Sequence, residues 1–337
     1  RPPRSTLFPY TTLFRSYGAT DGLAGFVQIG VPNFLGRGQT VNLKTEFSNK
    51  KFNIDLGFSE PWLFDTPTSV GVNAYHTQYD YTDYTQRKTG GSLSLGRPIP
   101  WLDYTRGYWQ YSLERINLSD FSEIFAKYIK EGTYPSISSA TSFTLVRDSR
   151  DRPFNASRGN RSVGMAKFAG GILGGKIDYQ KYILEHRHYR PLFWRLVGMA
   201  RAKAGVVDGY SDPATVPAYE RFRLGGTGED GLRGYADQSI NRATYGGRLM
   251  ALGNLEVKYS FTNSVYLLAF ADAGNTWTTY DRLDLKNPGL YKGAGAGIRA
   301  EVPMLGILGL DWGWGFDWQR NLQSDKWKIH FQLGTSF

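Results

Sequence analysis

The last twelve residues of the chain carry a strict period of two. Trp327, Ile329, Phe331, Leu333, Thr335 and Phe337 fall on one face of an extended strand, and Lys326, Lys328, His330, Gln332, Gly334 and Ser336 on the other. Successive side chains on a strand point to opposite faces, so this pattern predicts one apolar and one polar surface. The same alternation recurs upstream. Val41, Leu43, Thr45 and Phe47 alternate with Asn42, Lys44, Glu46 and Ser48, and Phe52, Ile54, Leu56 and Phe58 with Asn53, Asp55, Gly57 and Ser59. Leu249, Ala251, Gly253, Leu255, Val257 and Tyr259 alternate with Arg248, Met250, Leu252, Asn254, Glu256 and Lys258, although Met250 and Leu252 blur the second face.

Read through the whole chain, the pattern predicts fifteen strands, near 22–31, 38–49, 51–60, 67–80, 85–97, 105–118, 139–148, 160–171, 174–185, 190–206, 246–259, 264–272, 290–302, 305–318 and 326–337. Most reach nine residues or more, whereas globular strands usually have about five or six. One unbroken series of long strands, with no helical pattern of comparable length, fits a closed antiparallel barrel better than a soluble sandwich. The connections agree. One set is short (32–37, 61–66, 98–104, 149–159, 186–189, 260–263, 303–304), while the alternate set holds the long ones (119–138, 207–245, 273–289, 319–325). Membrane barrels have short periplasmic turns and longer external loops, which puts both chain ends on the periplasmic side. Within 120–130, Phe121, Ile124, Phe125 and Tyr128 share one face of a short surface helix.

Composition sharpens this reading. Forty glycines, 22 tyrosines, 20 phenylalanines and nine tryptophans among 337 residues suit a large sheet whose surface touches lipid. No apolar run, Val265–Ala271 included, approaches the ~18 residues that a transmembrane helix needs. The mean hydropathy of −0.41 is that of a soluble protein, yet a barrel strand keeps its average low because only alternate residues face lipid. Trp62, Trp101, Trp109, Trp194, Trp277 and Trp327 are candidates for the aromatic belts at the membrane surface. The net charge of +10 is spread along strands and turns without a basic tail or a reading element, which argues against nucleic acid. A polar lumen or anionic headgroups account for it instead.

Little in the chain suggests enzymatic chemistry. Cysteine is absent, which removes disulfides, thiolate metal sites and thiol nucleophiles. Gly225-Gly226-Thr227-Gly228 lacks the Gly-Lys-Ser/Thr ending of a phosphate loop. His186 and His188 flank Arg187 and share a strand face, but no third metal ligand is in view, so they read as turn or interface residues. No nucleophile–base order stands out. The expectation is therefore no enzyme, no cofactor and no metal.

The first sixteen residues, RPPRSTLFPYTTLFRS, neither alternate cleanly nor resemble a signal peptide. They read as a non-native, adapter-like segment, leaving 17–337 as one barrel domain. An even strand number is expected of a bacterial barrel, so the segment takes the place of most of the first of sixteen strands.

Several motifs carry a family resemblance. Arg221–Tyr235, RFRLGGTGEDGLRGY, lies inside the long connection 207–245. It resembles the sixth external loop of the outer-membrane assembly and two-partner-secretion superfamily, with the hallmark Leu232-Arg233-Gly234-Tyr235. Phe270-Ala271-Asp272-Ala273-Gly274 resembles the family's Phe-x-Asp-x-Gly pattern. Phe34-Leu35-Gly36-Arg37-Gly38 and Glu60-Pro61-Trp62-Leu63-Phe64 resemble turns of the BamA-type branch, and Val146-Arg147-Asp148-Ser149-Arg150-Asp151, followed by Pro153 and Gly159, another family turn. The resemblance runs over 18–337 in the family's order.

It implies that the loop folds back into the lumen and that Arg233 pairs with Asp272, with Glu256 as a second carboxylate. Guanidinium offers five donors in a fixed fork and can hold both. Gly225, Gly226, Gly228 and Gly231, with Gly234, would let the backbone approach the wall. The implied function is assembly and insertion of β-barrel proteins into the bacterial outer membrane, through a lateral gate between the first and last strands. Phe331, Leu333, Gly334 and Phe337 would lie on the terminal gate strand, where Gly334 weakens local packing. The implied partners are unfolded outer-membrane protein clients, accessory lipoproteins and outer-membrane lipids. Family members carry periplasmic POTRA domains before the barrel, through which those lipoproteins bind, and the expectation here is a chain truncated before the barrel. A polypeptide-secreting transporter of the two-partner or translocation-and-assembly type is the alternative.

Overall fold

The computed structural model describes residues 10–18, 22–81, 83–126, 133–210, 215–242, 246–262, 264–302, 306–321 and 323–334. Among them are sixteen strands, whose order in the sheet is their order in the chain. They are β1 (Tyr10–Gly18), β2 (Gly22–Phe34), β3 (Gln39–Phe47), β4 (Lys51–Glu60), β5 (Ser69–Asp80), β6 (Thr85–Pro98), β7 (Thr105–Ser119), β8 (Ser136–Asp148), β9 (Gly159–Ala169), β10 (Tyr179–Pro191), β11 (Leu196–Asp208), β12 (Leu249–Ser260), β13 (Val265–Trp277), β14 (Tyr291–Val302), β15 (Gly306–Gly315) and β16 (Trp327–Gly334). The fold is all-β and antiparallel, with each of the fifteen expected strands present.

The chain divides into two compact units, Arg1–Thr144 with Lys167–Tyr179, and Leu145–Ala166 with Gln180–Phe337. In the first, β1 pairs with β2 from Tyr10↔Gly30 to Gly18↔Gly22, so residues 10–16 of the adapter-like segment lie in a paired strand. Residues 1–9 fall outside the described ones. In the second unit, β10 to β16 form an unbroken series of antiparallel pairs.

The distribution of polarity across this second unit is the reverse of a water-soluble sandwich. Leu184, Leu255 and Ile329 are 68%, 60% and 68% exposed, while Arg187, Lys258, Asp272 and Arg299 on the opposite face are each 3% exposed. A row of water-exposed leucines against a buried row of charges is unfavourable in a soluble protein. It is the arrangement of a sheet whose outer face meets lipid and whose inner face is polar. No helix among the described residues is long and apolar enough to cross a membrane.

Several boundaries differ from the sequence expectation. The connection expected at 186–189 is strand, since β10 runs to Pro191 and Arg187 pairs with Arg201. The run Glu-His-Arg-His reads as a turn because it is polar, but Glu185, Arg187 and Tyr189 point to the buried charged face and His186 and His188 to the exposed one. The true turn is Leu192-Phe193-Trp194-Arg195, closed by the N–H groups of Leu192 and Leu196 donating to the carbonyls of Leu196 and Phe193. At its other end the strand starts at Tyr179 rather than at 174, because Gly174 and Gly175 take positive φ angles of 74° and 100° in a turn. The long loop spans 209–248 rather than 207–245, as pairing continues to Asp208 and resumes at Leu249. The surface helix shrinks to one turn, Glu123–Ala126, and 127–130 lie outside the described residues.

Candidate functional site

The loop between β11 and β12 does not stand away from the sheet. Leu224, Leu232 and Tyr235 are fully buried. The segment 229–235 crosses the polar face strand by strand. Lys203 Nζ on β11 donates to Asp230 Oδ1 at 2.6 Å, Asn254 Nδ2 on β12 donates to the Gly231 carbonyl at 3.3 Å, and Arg233 meets Asp272 on β13. Three Cα steps reach at most about 11 Å, and two strand spacings amount to about 9.5 Å. An almost extended chain laid across the strands therefore brings residues 230 and 233 to strands two apart.

Arg233 uses its full fork. Its Nε and Nη2 donate to the two oxygens of Asp272 at 2.8 Å each, and Nη1 donates to Glu256 Oε1 at 2.7 Å. Its backbone N–H adds a third bond to Asp272 Oδ2 at 3.0 Å, and the guanidinium lies 3.7 Å over the Phe270 ring. Both carboxylates reach it because Asp272 and Glu256 sit on neighbouring strands, with Glu256 opposite Phe270 and Asn254 opposite Asp272. Burial works against the arginine's charge, but Glu256 and Asp272 more than offset it and hold its pKa above the ordinary arginine value.

Gly234 seats the loop in a notch of glycines. It has φ of +92°, and a Cβ there would come within 2.6 Å of Gly315 N. A Cβ on Gly313 would in turn lie 2.5 Å from Gly234 N, and one on Gly293 would strike the Arg233 carbonyl. The glycines of β14 and β15 thus leave space for a backbone rather than for side chains. The Gly234 N–H donates to Nε2 of His330 on β16 at 3.1 Å. The Tyr235 hydroxyl donates to the Lys292 carbonyl at 2.6 Å, and the Asp317 N–H donates back to it at 3.0 Å. Its ring stands edge-on to Tyr291 at 5.7 Å. Burial foremost pushes the Tyr235 phenol up to about 12. Gln323 accepts from the Ala236 N–H at 2.7 Å and donates to the Gly234 carbonyl at 3.3 Å.

The other sequence-selected residues are spread around this centre. Gly225 and Gly226 pack on the returning segment 236–239, Gly231 faces Thr227, and a Cβ on Gly228 would meet nothing within 4 Å. Phe331 is on the exposed face of β16, and Leu333 and Gly334 lie in its pairing with β15. Phe337 lies outside the described residues. His186 and His188 take Ser162 and Asn160 as partners on the exposed face. No group of three or more metal-ligating residues occurs among the described residues.

Sequence reasoning passed over the acidic pair Glu229 and Asp230, the charges on β10 and β11 that receive them, and His330. The two-residue spacings Glu185/Arg187 and Arg201/Lys203 were the available signal, since they put like-facing charges on one side of two successive strands.

Comparison with known proteins adds an independent line. The model of the Omp85 superfamily domain matches residues 33–337. The chain is 29% identical over 332 residues to the outer membrane protein assembly factor BamA of Nitratidesulfovibrio vulgaris, covering 94% of this chain and 41% of that protein. The chain thus spans about two fifths of that relative's length. Among solved structures, BamA from Haemophilus ducreyi lacking POTRA domains 1-3 superposes with a TM-score of 0.77 at 18% identity, covering 97% of this chain and 74% of that one. CdiB from Escherichia coli superposes with a TM-score of 0.62 at 17% identity, over 96% of this chain and 67% of that one. These two likenesses concern the fold.

Proposed function

The chain belongs to the Omp85 superfamily, and from that premise we propose that it is the membrane-embedded part of an outer-membrane protein assembly factor. It is an outer-membrane β-barrel protein, as its superfamily and its exposed apolar strand faces agree. The proposed task is to receive unfolded outer-membrane protein clients and release them, folded, into the bilayer. Accessory lipoproteins and outer-membrane lipids are the further partners of this reading, which includes no enzymatic step. The observation that carries it is the arginine loop, held by Arg233 on Asp272 and Glu256. The 29% identity to an assembly factor gives that loop its functional setting.

The proposed route is a lateral gate between the first and last strands of the native barrel. Backbone groups in lipid must be hydrogen-bonded, so a parted seam is a template for an incoming strand. β16 supports this role through its exposed Trp327, Ile329 and Phe331, which a lipid-inserted client edge would match. Gly334 pairs with Ile307 at the end of the strand, and a glycine there would ease the parting of the seam.

The test is reconstitution. The chain, and the same barrel fused to the upstream region of the assembly-factor relative, are placed in vesicles with a radiolabelled unfolded barrel client. Accelerated client folding that is lost with Arg233→Ala supports the assembly reading. Absence of acceleration, with passage of an unfolded polypeptide through the vesicle wall instead, replaces it with a secretion pore.

A further inference from the structure

Arg233 is only one of two charged prongs on the loop. Glu229 and Asp230 precede it and have the opposite sign. They meet a part of the sheet that is opposite in sign again. Arg150, Arg161, Arg187, Arg201 and Lys203 gather there, and the wall carboxylates that meet them are Asp148 and Glu185. Glu185 is shared by Arg187 at 2.6 Å, Arg201 at 2.5 Å and Arg161 at 3.4 Å. Arg187, Arg201 and Lys203 are all buried. The wall of β8 to β11 therefore carries an excess of positive charge that its own carboxylates leave uncompensated.

The loop brings two further carboxylates, which offset most of that excess. Glu229 Oε2 accepts from Arg187 at 3.1 Å and from Arg201 at 3.2 Å. The Glu229 carbonyl accepts from Arg201 at 2.6 Å and from Lys203 at 3.1 Å. Asp230 accepts from Lys203 at 2.6 Å. Around the second prong the balance is inverted. Glu256, Asp272 and Asp311 outnumber Lys258 and Arg299, and Arg233 restores neutrality.

We propose that Glu229 and Asp230 are positioning residues that, together with Arg233, form a two-pronged charge key fixing the loop in a single register across β10 to β13. The physical reason is that a wrong register is penalised twice. Shifted by one hairpin toward β12–β13, Glu229 and Asp230 would face Glu256 and Asp272. Shifted the other way, Arg233 would face Arg201 and Lys203. Like charges brought against the largely buried Glu256 and Asp272, or against the buried Arg201 and Lys203, are disfavoured, and solvent screens the half-exposed Glu229 and Asp230 only in part. A loop anchored by Arg233 alone could pivot about that point. The acidic prong thus determines where Gly234 and Tyr235 arrive on β14 to β16. The inference rests on the proposed function only for the activity readout below.

The test is a charge exchange at the one-to-one pair. In the full chain in micelles, chymotrypsin cleavage after Leu232 and Tyr235, both fully buried, reports release of the loop. Thermal unfolding, followed in parallel, reports the barrel itself. Asp230→Lys is expected to raise the cleavage rate about threefold or more, since it reverses the charge facing the buried Lys203 at a site that solvent partly screens. Asp230→Lys combined with Lys203→Asp is expected to return it to near the wild-type rate, a rescue that loss of bulk stability would not produce. Asp230→Asn, expected to give a smaller opening, serves if the reversed variant does not fold. Unchanged cleavage in Asp230→Lys or Asp230→Asn, or no recovery in a folded exchange variant, overturns the inference. Client folding is measured on the same variants. A loop that opens and closes as expected while client folding stays constant upholds the key and overturns the loop's role in assembly, so the two failures are distinct.

Discussion

The backbone N–H of Gly234, at the tip of a forty-residue connection, donates to Nε2 of His330 on the last strand at 3.1 Å. The two residues are separated by 96 positions in the chain. The bond joins the loop that holds Arg233 to the strand proposed as one side of the gate, so a movement of either is felt by the other. With Nε2 as acceptor, the neutral ring carries its proton on Nδ1. His330→Ala is expected to raise hydrogen exchange at the Gly234 amide about tenfold, while exchange within β12 and β13 stays unchanged. Unaltered exchange at Gly234 in the variant would show that the bond carries no constraint.

Arg233 occupies a position where charge cannot be removed cheaply. Arg233→Ala leaves Asp272 and Glu256 buried without their partner, which costs about 3–5 kcal/mol. Arg233→Lys keeps the charge but loses the fork to two carboxylates, and should recover less than half of that loss. Thermal unfolding together with chymotrypsin cleavage of 221–235 reads both. Unchanged protection and unchanged client folding in Arg233→Ala would remove the loop from the mechanism.

The glycine notch makes a steric prediction independent of charge. Gly313→Ala places a methyl 2.5 Å from Gly234 N, which forces the loop or β15 to shift at a cost of about 1–3 kcal/mol. Gly253→Ala, where the nearest atom to an added Cβ is 3.8 Å away, is the control and should leave stability nearly unchanged. Equal unfolding midpoints for the two variants would show that the loop does not seat in the notch.

Leu184 tests the membrane assignment. It lies mid-strand on β10 and is 68% exposed. Leu184→Arg should cost about 2–4 kcal/mol when folding is measured in bilayers, the penalty for a cation near the bilayer midplane. On the surface of a soluble protein the same change would stay within about 0.5 kcal/mol. A cost in that lower range would argue against lipid on this face.

Lys258 is buried beside the turn 149–158. Its ammonium donates to the Ala156 carbonyl at 2.8 Å and stands 4.9 and 5.3 Å over the rings of Tyr189 and Tyr266. Lys258→Met retains most of the volume but removes the donor and the cation–π contacts, for a loss of about 1–3 kcal/mol. Trypsin cleavage at Arg152 and Arg158 should then accelerate. An unchanged rate would mean that the turn is held by its own Asp151–Ser157 bond.

The strands themselves were legible because alternation is local. In Phe52–Phe58 and Trp327–Phe331 a period of two suffices to tell one face from the other, whatever lies beyond the strand. Which face meets lipid was also readable, once the number and length of strands had argued against a sandwich. The alternation failed at Glu185–His188, where both faces are polar and hydropathy no longer distinguishes strand from turn. There the tertiary structure decided, because only the register with β11 shows that Glu185 and Arg187 have buried partners.

The loop divides in the same way. Its glycines, its length and the hallmark Leu232–Tyr235 were in the sequence; Arg233 and Asp272 could be named from a family pattern, and Glu256 from its place on the polar face of the preceding strand. The acidic prong, the glycine notch and His330 could not. Each depends on residues tens of positions apart being brought together by strand register, and no local period records that distance. The amino-acid sequence alone determined an alternating, glycine-rich chain that must form long antiparallel strands with one apolar and one polar face. Which charges on the polar face find one another, and so where the loop comes to rest, was decided only when neighbouring strands set their side chains opposite each other.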